Sequence, residues 1–231
     1  MIFFNNVTKI YPPYLTKKER VVLEKVSFQV EKGEFVSIVG RSGAGKTTLF
    51  KLLLGEESPT EGRVFFEDTD VHKAPAKKAC ELKRRIGTIF QDYKLLPSKT
   101  VYENIAYAME VTGVSDEEIE RYVPEVLDRV GLLEHAMHFP YQLSGGEKQR
   151  TAIARALIHE PDVILADEPT GDLDPYNTKE VLNLLLDINK SGTTVVLATH
   201  NKDIINDLKK RVITLKEGKV AGDSKQGRFT L

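Results

Sequence analysis

A glycine-rich segment from Gly40 to Thr47, with the sequence GRSGAGKT, constrains the fold of this chain most strongly. It follows an apolar run at 35–39 that is typical of a buried strand, and it leads into 46–54, where the apolar spacing is helical. Further short apolar runs at 163–166 and 195–198 alternate with helical patterns. The pattern predicts an α/β fold with a mainly parallel sheet covered by helices.

The segment also matches the phosphate-binding P-loop, in the strand–loop–helix context that this motif requires. Its glycines allow backbone N–H groups to surround phosphates, and the helix N-terminus adds partial positive charge. Lys46 would reach the β- and γ-phosphates, and the Thr47 hydroxyl would bind Mg²⁺. The alternative is a glycine-rich loop that binds nothing. The residues expected to contact nucleotide here are Gly40, Arg41, Ser42, Gly43, Ala44, Gly45, Lys46, Thr47 and Thr48.

A second motif, Val163 to Glu168, places two carboxylates directly after a buried strand. The carboxyl edge of a parallel sheet is where α/β proteins bind ligands. Asp167 would hold the Mg²⁺ shell, and Glu168 would orient or deprotonate the attacking water. The alternative is a surface Asp-Glu pair, but a P-loop in the same chain favours the Walker B interpretation.

The segment Leu143-Ser144-Gly145-Gly146-Glu147, here called the signature segment, begins another helix. A hydroxyl, two bare backbone N–H groups and a helix N-terminus together form an anion cradle. The alternative is an ordinary serine-capped helix, which would not require two glycines that cost helix stability. We interpret the segment as half of a nucleotide site that is completed when two copies of the chain meet.

The P-loop, the signature segment and the LADE sequence at 165–168 resemble, in this order and spacing, the nucleotide-binding subunit of ABC ATPases. The resemblance covers essentially the whole chain. It implies one nucleotide-binding domain over 1–231, with a RecA-like P-loop NTPase core at about 1–91 and 160–231. An N-terminal antiparallel β subdomain and an inserted helical lobe at about 92–159 are also implied.

The resemblance further implies a head-to-tail homodimer, with ATP and Mg²⁺ between the P-loop of one copy and the signature segment of the other. The residues acting in cis would include Lys46, Thr47, Asp167 and Glu168, and those acting in trans would be Ser144, Gly145 and Gly146.

Four single positions receive roles from the resemblance alone. Gln91 matches the Q-loop glutamine, which contacts Mg²⁺ and water and senses the membrane partner. His200 matches the switch histidine at the γ-phosphate, and Asp172 matches the D-loop at the dimer interface. Tyr11 matches the aromatic residue that stacks on adenine, although Tyr14 in the following loop could take that role.

Three segments, 85–97, 100–106 and 130–133, resemble a narrower branch, the FtsE-type cell-division ATPases. This resemblance implies an FtsX-like integral membrane partner, control of peptidoglycan hydrolases, and a peripheral location at the cytoplasmic face of the membrane. ATPases of lipoprotein-release or macrolide-export type, or of another ABC transporter, are the alternative, because their catalytic residues would be the same.

Composition excludes other classes. The net charge of −1 gives no basic footprint for nucleic acid, and the single cysteine, Cys80, cannot form an internal disulfide. No apolar run approaches the roughly 18 residues that cross a bilayer, so a membrane span would come from another chain. A P-loop kinase or GTPase would not carry the signature segment.

Overall fold

The computed structural model describes residues 1–13, 19–225 and 227. It separates into two compact units: the first unit spans 1–83 and 194–231, and the second unit spans 84–193. The first unit begins with β1 (Ile2–Tyr11), β2 (Arg20–Val30), β3 (Phe35–Val39), α1 (Lys46–Leu53), β4 (Glu61–Phe66), β5 (Thr69–Asp70) and α2 (Ala76–Arg84). The second unit holds β6 (Ile86–Ile89), α3 (Val101–Glu110), α4 (Asp116–Arg129), two short 3₁₀ helices (Leu133–His135 and Pro140–Gln142), α5 (Gly145–Leu157), β7 (Val163–Asp167) and α6 (Pro175–Lys190). The first unit then resumes with β8 (Thr194–Thr199), α7 (Lys202–Leu208), β9 (Arg211–Lys216) and β10 (Lys219–Ser224).

An antiparallel sheet with the order β2-β1-β4-β5 forms one part of the first unit. Burial alternates along the second half of β2, where Val26, Phe28 and Val30 are buried and the residues between them are exposed. This period of two is the pattern of a sheet with one buried face. At the end of the β1–β2 ladder, Tyr11 pairs with Arg20. The N-terminal antiparallel subdomain expected from the family resemblance is therefore present.

The parallel strands of the first unit surround β3, which pairs with β8 on one side and β9 on the other. All five residues of β3 and all six of β8 are buried. Strands buried on both faces are continuously apolar, which explains why they appear in the sequence as unbroken hydrophobic runs. The carboxyl end of β3 leads directly into Gly40, so the P-loop lies at the carboxyl end of this buried strand, as predicted.

In the second unit, β6 and β7 pair in parallel, from Ile86 with Val163 to Ile89 with Ala166. Helix α4 contains Pro124 and runs unbroken from Asp116 to Arg129. A proline inside a helical pattern usually causes a kink or separates two helices, and the helix here is not divided. Buried Ile119, Val123 and Leu127 anchor one face of the helix on both sides of the proline, and this packing offsets the lost hydrogen bond.

The helical lobe predicted at 92–159 lies inside the second unit, and its division from the core stays a prediction. Within the described part of the chain, no helix is both long enough and apolar enough to cross a membrane.

Candidate nucleotide-binding site

The P-loop closes against two neighbouring segments of the first unit, and its glycines are required by space. A Cβ on Gly40 would lie 2.6 Å from the Leu215 carbonyl oxygen. Gly45 has φ 107°, and a Cβ there would lie 2.6 Å from Leu23 Cδ2. Only glycine adopts this backbone conformation readily, and Gly45 has no side chain that could cap α1. A helix N-terminus without a capping side chain is a suitable position for an anion.

Lys46 is buried, with 7% of its surface exposed, although it carries a charge. Its Nζ donates to the Gly40 carbonyl at 2.9 Å and approaches the Arg41 carbonyl at 3.5 Å. The ammonium is therefore held inside the loop whose backbone would surround phosphates. Thr47, the next residue, is exposed and Thr48 is half-buried.

A cavity of about 920 Å³ opens at the P-loop, within the first unit. Residues 40–44 form one side of it, and His200, Lys202 and the end of β9 line it as well. His200 follows β8, so neighbouring parallel strands bring it to the P-loop. The sequence analysis had placed His200 here through the family resemblance; it had not singled out Lys202, which lies at the start of α7.

Tyr11 lies at the edge of the same unit, half-buried at the end of β1. It pairs with Arg20, whose guanidinium lies 3.7 Å from the Cβ position of Gly43 in the P-loop. The Lys9 ammonium lies over the Tyr11 ring, 4.8 Å from its centroid. Tyr14, the other candidate for adenine stacking, lies outside the described residues, so the choice between the two stays a prediction.

The Walker B residues lie at the end of β7 in the second unit. Asp167 ends the strand and is half-buried, and Glu168 follows with φ 48°. A non-glycine residue with positive φ is uncommon and persists where the surrounding structure holds it, often at functional sites. The Gly171 N–H donates to the Glu168 carbonyl at 3.1 Å, which closes the turn into the D-loop.

Gln91 and Asp172, predicted from the family resemblance, are in contact within the second unit. Gln91 Nε2 donates to Asp172 Oδ2 at 3.3 Å, and both residues are exposed. A Cβ on Gly171 would lie 3.1 Å from Gln91 Nε2, so the Q-loop side chain packs against the D-loop backbone. The Q-loop and the D-loop are therefore in direct contact at this edge of the second unit.

Ser144 caps α5 through a reciprocal capping box. Its Oγ accepts the Glu147 N–H at 3.3 Å, and Glu147 Oε2 accepts the Ser144 N–H at 2.8 Å. The hydrogen bond from the Ser144 backbone, with a smaller contribution from the nearby His135, lowers the pKa of Glu147. The serine hydroxyl is exposed and can still donate its proton to an anion.

Packing inside the second unit also constrains the two signature glycines, Gly146 much more tightly than Gly145, and this could not be identified from the sequence. A Cβ on Gly146 would lie 1.8 Å from Asn177 Oδ1 of α6. One on Gly145 would lie 3.3 Å from Leu173 Cδ2 and 3.4 Å from the Tyr93 hydroxyl. Gly146 is accordingly buried, whereas Ser144 remains accessible.

The residues predicted for Mg²⁺ offer a suitable donor set. Thr47 has a hydroxyl, Asp167 a carboxylate and Gln91 an amide oxygen, and hard oxygen ligands are those that Mg²⁺ prefers.

A model of the protein family described as ABC transporter matches residues 23–171, more than half of the chain. The chain therefore belongs to this family, and it is a nucleotide-binding ATPase of the ABC type.

Among characterised proteins, the chain is similar to those named cell division ATP-binding protein FtsE. It is 46% identical to that of Bacillus subtilis over 99% of this chain and 98% of the relative. It is 51% identical to that of Streptococcus pneumoniae over 90% of both chains. A solved structure, the dimeric post-hydrolysis state of the ATP-binding cassette MJ0796 bound to ADP and Pi, matches with a TM-score of 0.88. That chain is 35% identical, and the match covers 99% of this chain and all of the other. The α/β ABC fold predicted from the sequence is confirmed.

Proposed function

We propose that the chain is the ATP-hydrolysing subunit of a bacterial cell-division complex, in which ATP-driven closure of two copies acts on a membrane partner. The supporting observation is that the FtsE proteins of two species are 46% and 51% identical to it over at least 90% of both chains. The reaction is ATP plus water giving ADP and phosphate.

In this proposal, one copy supplies the P-loop face of each nucleotide. The Gly40–Thr48 backbone and the α1 N-terminus hold the phosphates, and the Lys46 ammonium moves from the loop carbonyls to the β- and γ-phosphate oxygens. Tyr11 stacks on adenine. Three catalytic residues act in addition to Lys46. Glu168 accepts a proton from the attacking water or orients it, and Gln91 positions that water. His200 contacts the γ-phosphate.

The metal is held by Thr47, Asp167 and Gln91. Mg²⁺, when bound, neutralises charge on the β- and γ-phosphate oxygens and so favours phosphoryl transfer. The oxygen donors of these three residues support the assignment.

The second copy supplies the signature segment. The Ser144 hydroxyl and the backbone N–H groups of Gly145 and Gly146 donate to the γ-phosphate of the nucleotide held by the first copy, and Asp172 lies at the shared interface. The dimeric neighbour bound to ADP and Pi supports pairing of this kind. Because association costs translational and rotational entropy, the isolated chain is expected to pair only when ATP adds contacts.

The membrane partner is proposed to be an FtsX-like integral membrane protein that holds the ATPase at the cytoplasmic face of the membrane. Closure would be transmitted mechanically to control peptidoglycan hydrolysis on the other side. The absence of a membrane-spanning helix from the described residues agrees with a role as the peripheral subunit.

The test is affinity purification of Glu168→Gln from native membranes with ATP present, followed by identification of the retained proteins. We expect an integral membrane protein with a sizeable extracellular domain, no solute-binding protein, and a division defect on depletion. Recovery of a many-span permease or a solute-binding protein instead would contradict the cell-division assignment, while leaving the ATPase chemistry intact.

A further inference from the structure

The chain directly after Gln91 contains an unusual turn. Tyr93 and Lys94 are consecutive non-glycine residues with φ 58° and 51°. The turn is closed by Tyr93 N–H donating to the Phe90 carbonyl at 3.2 Å and by Lys94 N–H donating to the Asp92 carbonyl at 2.6 Å. Two successive side-chain-bearing residues in the left-handed region persist only where other contacts hold them there.

Arg155, ten residues after Gly145 on α5, supplies such contacts. Its Nη1 donates to the Lys94 carbonyl at 2.6 Å and its Nη2 to the Tyr93 carbonyl at 2.9 Å. The planar guanidinium presents two donors in a fixed geometry, so it specifies the relative orientation of the two carbonyls. A lysine would lack this second fixed donor.

Arg155 is also half-buried, and this burial lowers the pKa of its guanidinium. Among the described residues it forms no ion pair, so no carboxylate offsets the burial of its charge. A half-buried charge that donates to two backbone carbonyls of one turn indicates that Arg155 stabilises this turn.

The same turn reaches the other end of α5. The Tyr93 hydroxyl lies 3.4 Å from the Cβ position of Gly145, at the start of the helix. Burial and the nearby Asp172 carboxylate raise the pKa of Tyr93, so the hydroxyl keeps its proton near neutral pH. Helix α5 therefore contacts the segment 91–94 through two of its own residues, whose Cα atoms lie about 15 Å apart along the helix axis at 1.5 Å per residue.

We propose that Arg155 is a positioning residue, which holds the left-handed turn at Tyr93–Lys94 and thereby fixes Gln91 relative to the signature segment of the same copy. The proposal rests on the proposed function, because the role of Gln91 in hydrolysis belongs to it. Helix α5 then carries the signature segment at its start and, near its end, Arg155, which holds the turn after Gln91. A displacement of either loop is transmitted to the other through α5.

The test compares Arg155→Met, which keeps the length of the side chain and removes the donors, with the same change combined with Lys94→Gly. Glycine adopts positive φ without penalty, so it stabilises the turn when the hydrogen bonds from Arg155 are missing. The matched control is Arg155→Met with Lys94→Ala, which also deletes the lysine side chain but leaves the strained backbone. Steady-state kcat and KM for MgATP, ATP affinity at equilibrium and thermal unfolding are measured on the full chain.

We expect Arg155→Met to lower kcat on the order of 10- to 100-fold, the range for a misplaced catalytic group, with ATP affinity within about twofold of wild type. Lys94→Gly should restore most of that loss, and Lys94→Ala should not. Unchanged kcat in Arg155→Met, or equal rescue by glycine and alanine, would overturn the proposal. If kcat, ATP affinity and unfolding temperature all fall together, Arg155 only stabilises the fold in general, and the proposal is also overturned.

If Arg155→Met does not fold, Arg155→Lys takes its place, because lysine keeps the charge and can reach one carbonyl but not both. Wild type and Glu168→Gln are assayed in parallel. Hydrolysis by wild type and none by Glu168→Gln upholds the proposed ATPase whatever the Arg155 variants do, so the two proposals fail separately.

Discussion

The substitution Gly146→Ala tests whether packing against α6 is the reason for glycine in the signature segment. The new Cβ would lie 1.8 Å from Asn177 Oδ1, a distance that no pair of non-bonded atoms tolerates. The Asn177 amide must therefore withdraw, and it loses its hydrogen bond to Asp174. If the amide cannot withdraw far enough, α5 shifts and carries Ser144 with it.

The stability change should be small, because two terms oppose each other. The lost Asn177–Asp174 hydrogen bond costs about 0.5–1.5 kcal/mol, and the exposure of Asp174 favours the lower end. Alanine gains up to about 1 kcal/mol over glycine inside a helix. The net effect is within about 1 kcal/mol, which corresponds to a Tm shift of roughly 2–4 °C at most for a chain of this size.

Activity should respond much more strongly than stability. A displacement of the Ser144 hydroxyl by about 1 Å should lower kcat on the order of 100-fold. Adding Asn177→Ala removes the obstructing amide and should restore most of the turnover, and Asn177→Ala alone serves as the control. The assay is steady-state ATP hydrolysis beside a thermal melt of each variant. If the double variant is as inactive as Gly146→Ala, the packing explanation is wrong and the glycine is needed for another reason.

Three further predictions concern single residues. Lys46→Ala should abolish ATP binding, measured by equilibrium titration, because no other side chain of the P-loop carries an ammonium to the phosphates; undiminished affinity would refute the assignment. Ser144→Arg should abolish hydrolysis but leave ATP affinity of the monomer unchanged, since the serine acts on the nucleotide of the other copy; normal turnover would show that the site is not shared. Glu147→Gln keeps the capping hydrogen bonds but removes a carboxylate whose pKa is lowered in the fold. That carboxylate stabilises the fold above its ordinary pKa, and the contribution is lost as the pH falls through the lowered value. Wild type should therefore melt higher than the variant at pH 7, and the difference should shrink as the pH falls; a difference that does not change with pH would contradict this.

The elements that carry the site could be predicted because their chemistry leaves few alternatives. A backbone that surrounds phosphates must turn sharply after a strand. The sequence therefore predicts both the buried strand at 35–39 and the glycine at position 45, which has φ 107° in the structure. The same holds for Asp167 at the end of β7. A helix cap such as Ser144 can be predicted for a similar reason, since the capping side chain lies beside the groups it satisfies.

The contacts between distant segments could not be predicted. Arg155 and Tyr93 are separated by 62 positions, and the sequence around neither residue indicates the hydrogen bond between them. Asn177 likewise explains Gly146 only once α5 and α6 are packed. Local rules also fail at Pro124, where the proline predicts a break in the helix, whereas burial on both sides of it decides the outcome.

The central claim is that two copies of this chain together form each hydrolytic site. The most direct measurement is the solution mass of Glu168→Gln with and without MgATP, by light scattering, beside the double variant that adds Ser144→Arg. The account predicts a monomer without nucleotide, a dimer with MgATP, and a monomer under both conditions for the double variant. A Glu168→Gln chain that binds ATP and stays monomeric, or a dimer that persists with Ser144→Arg, would contradict the shared site.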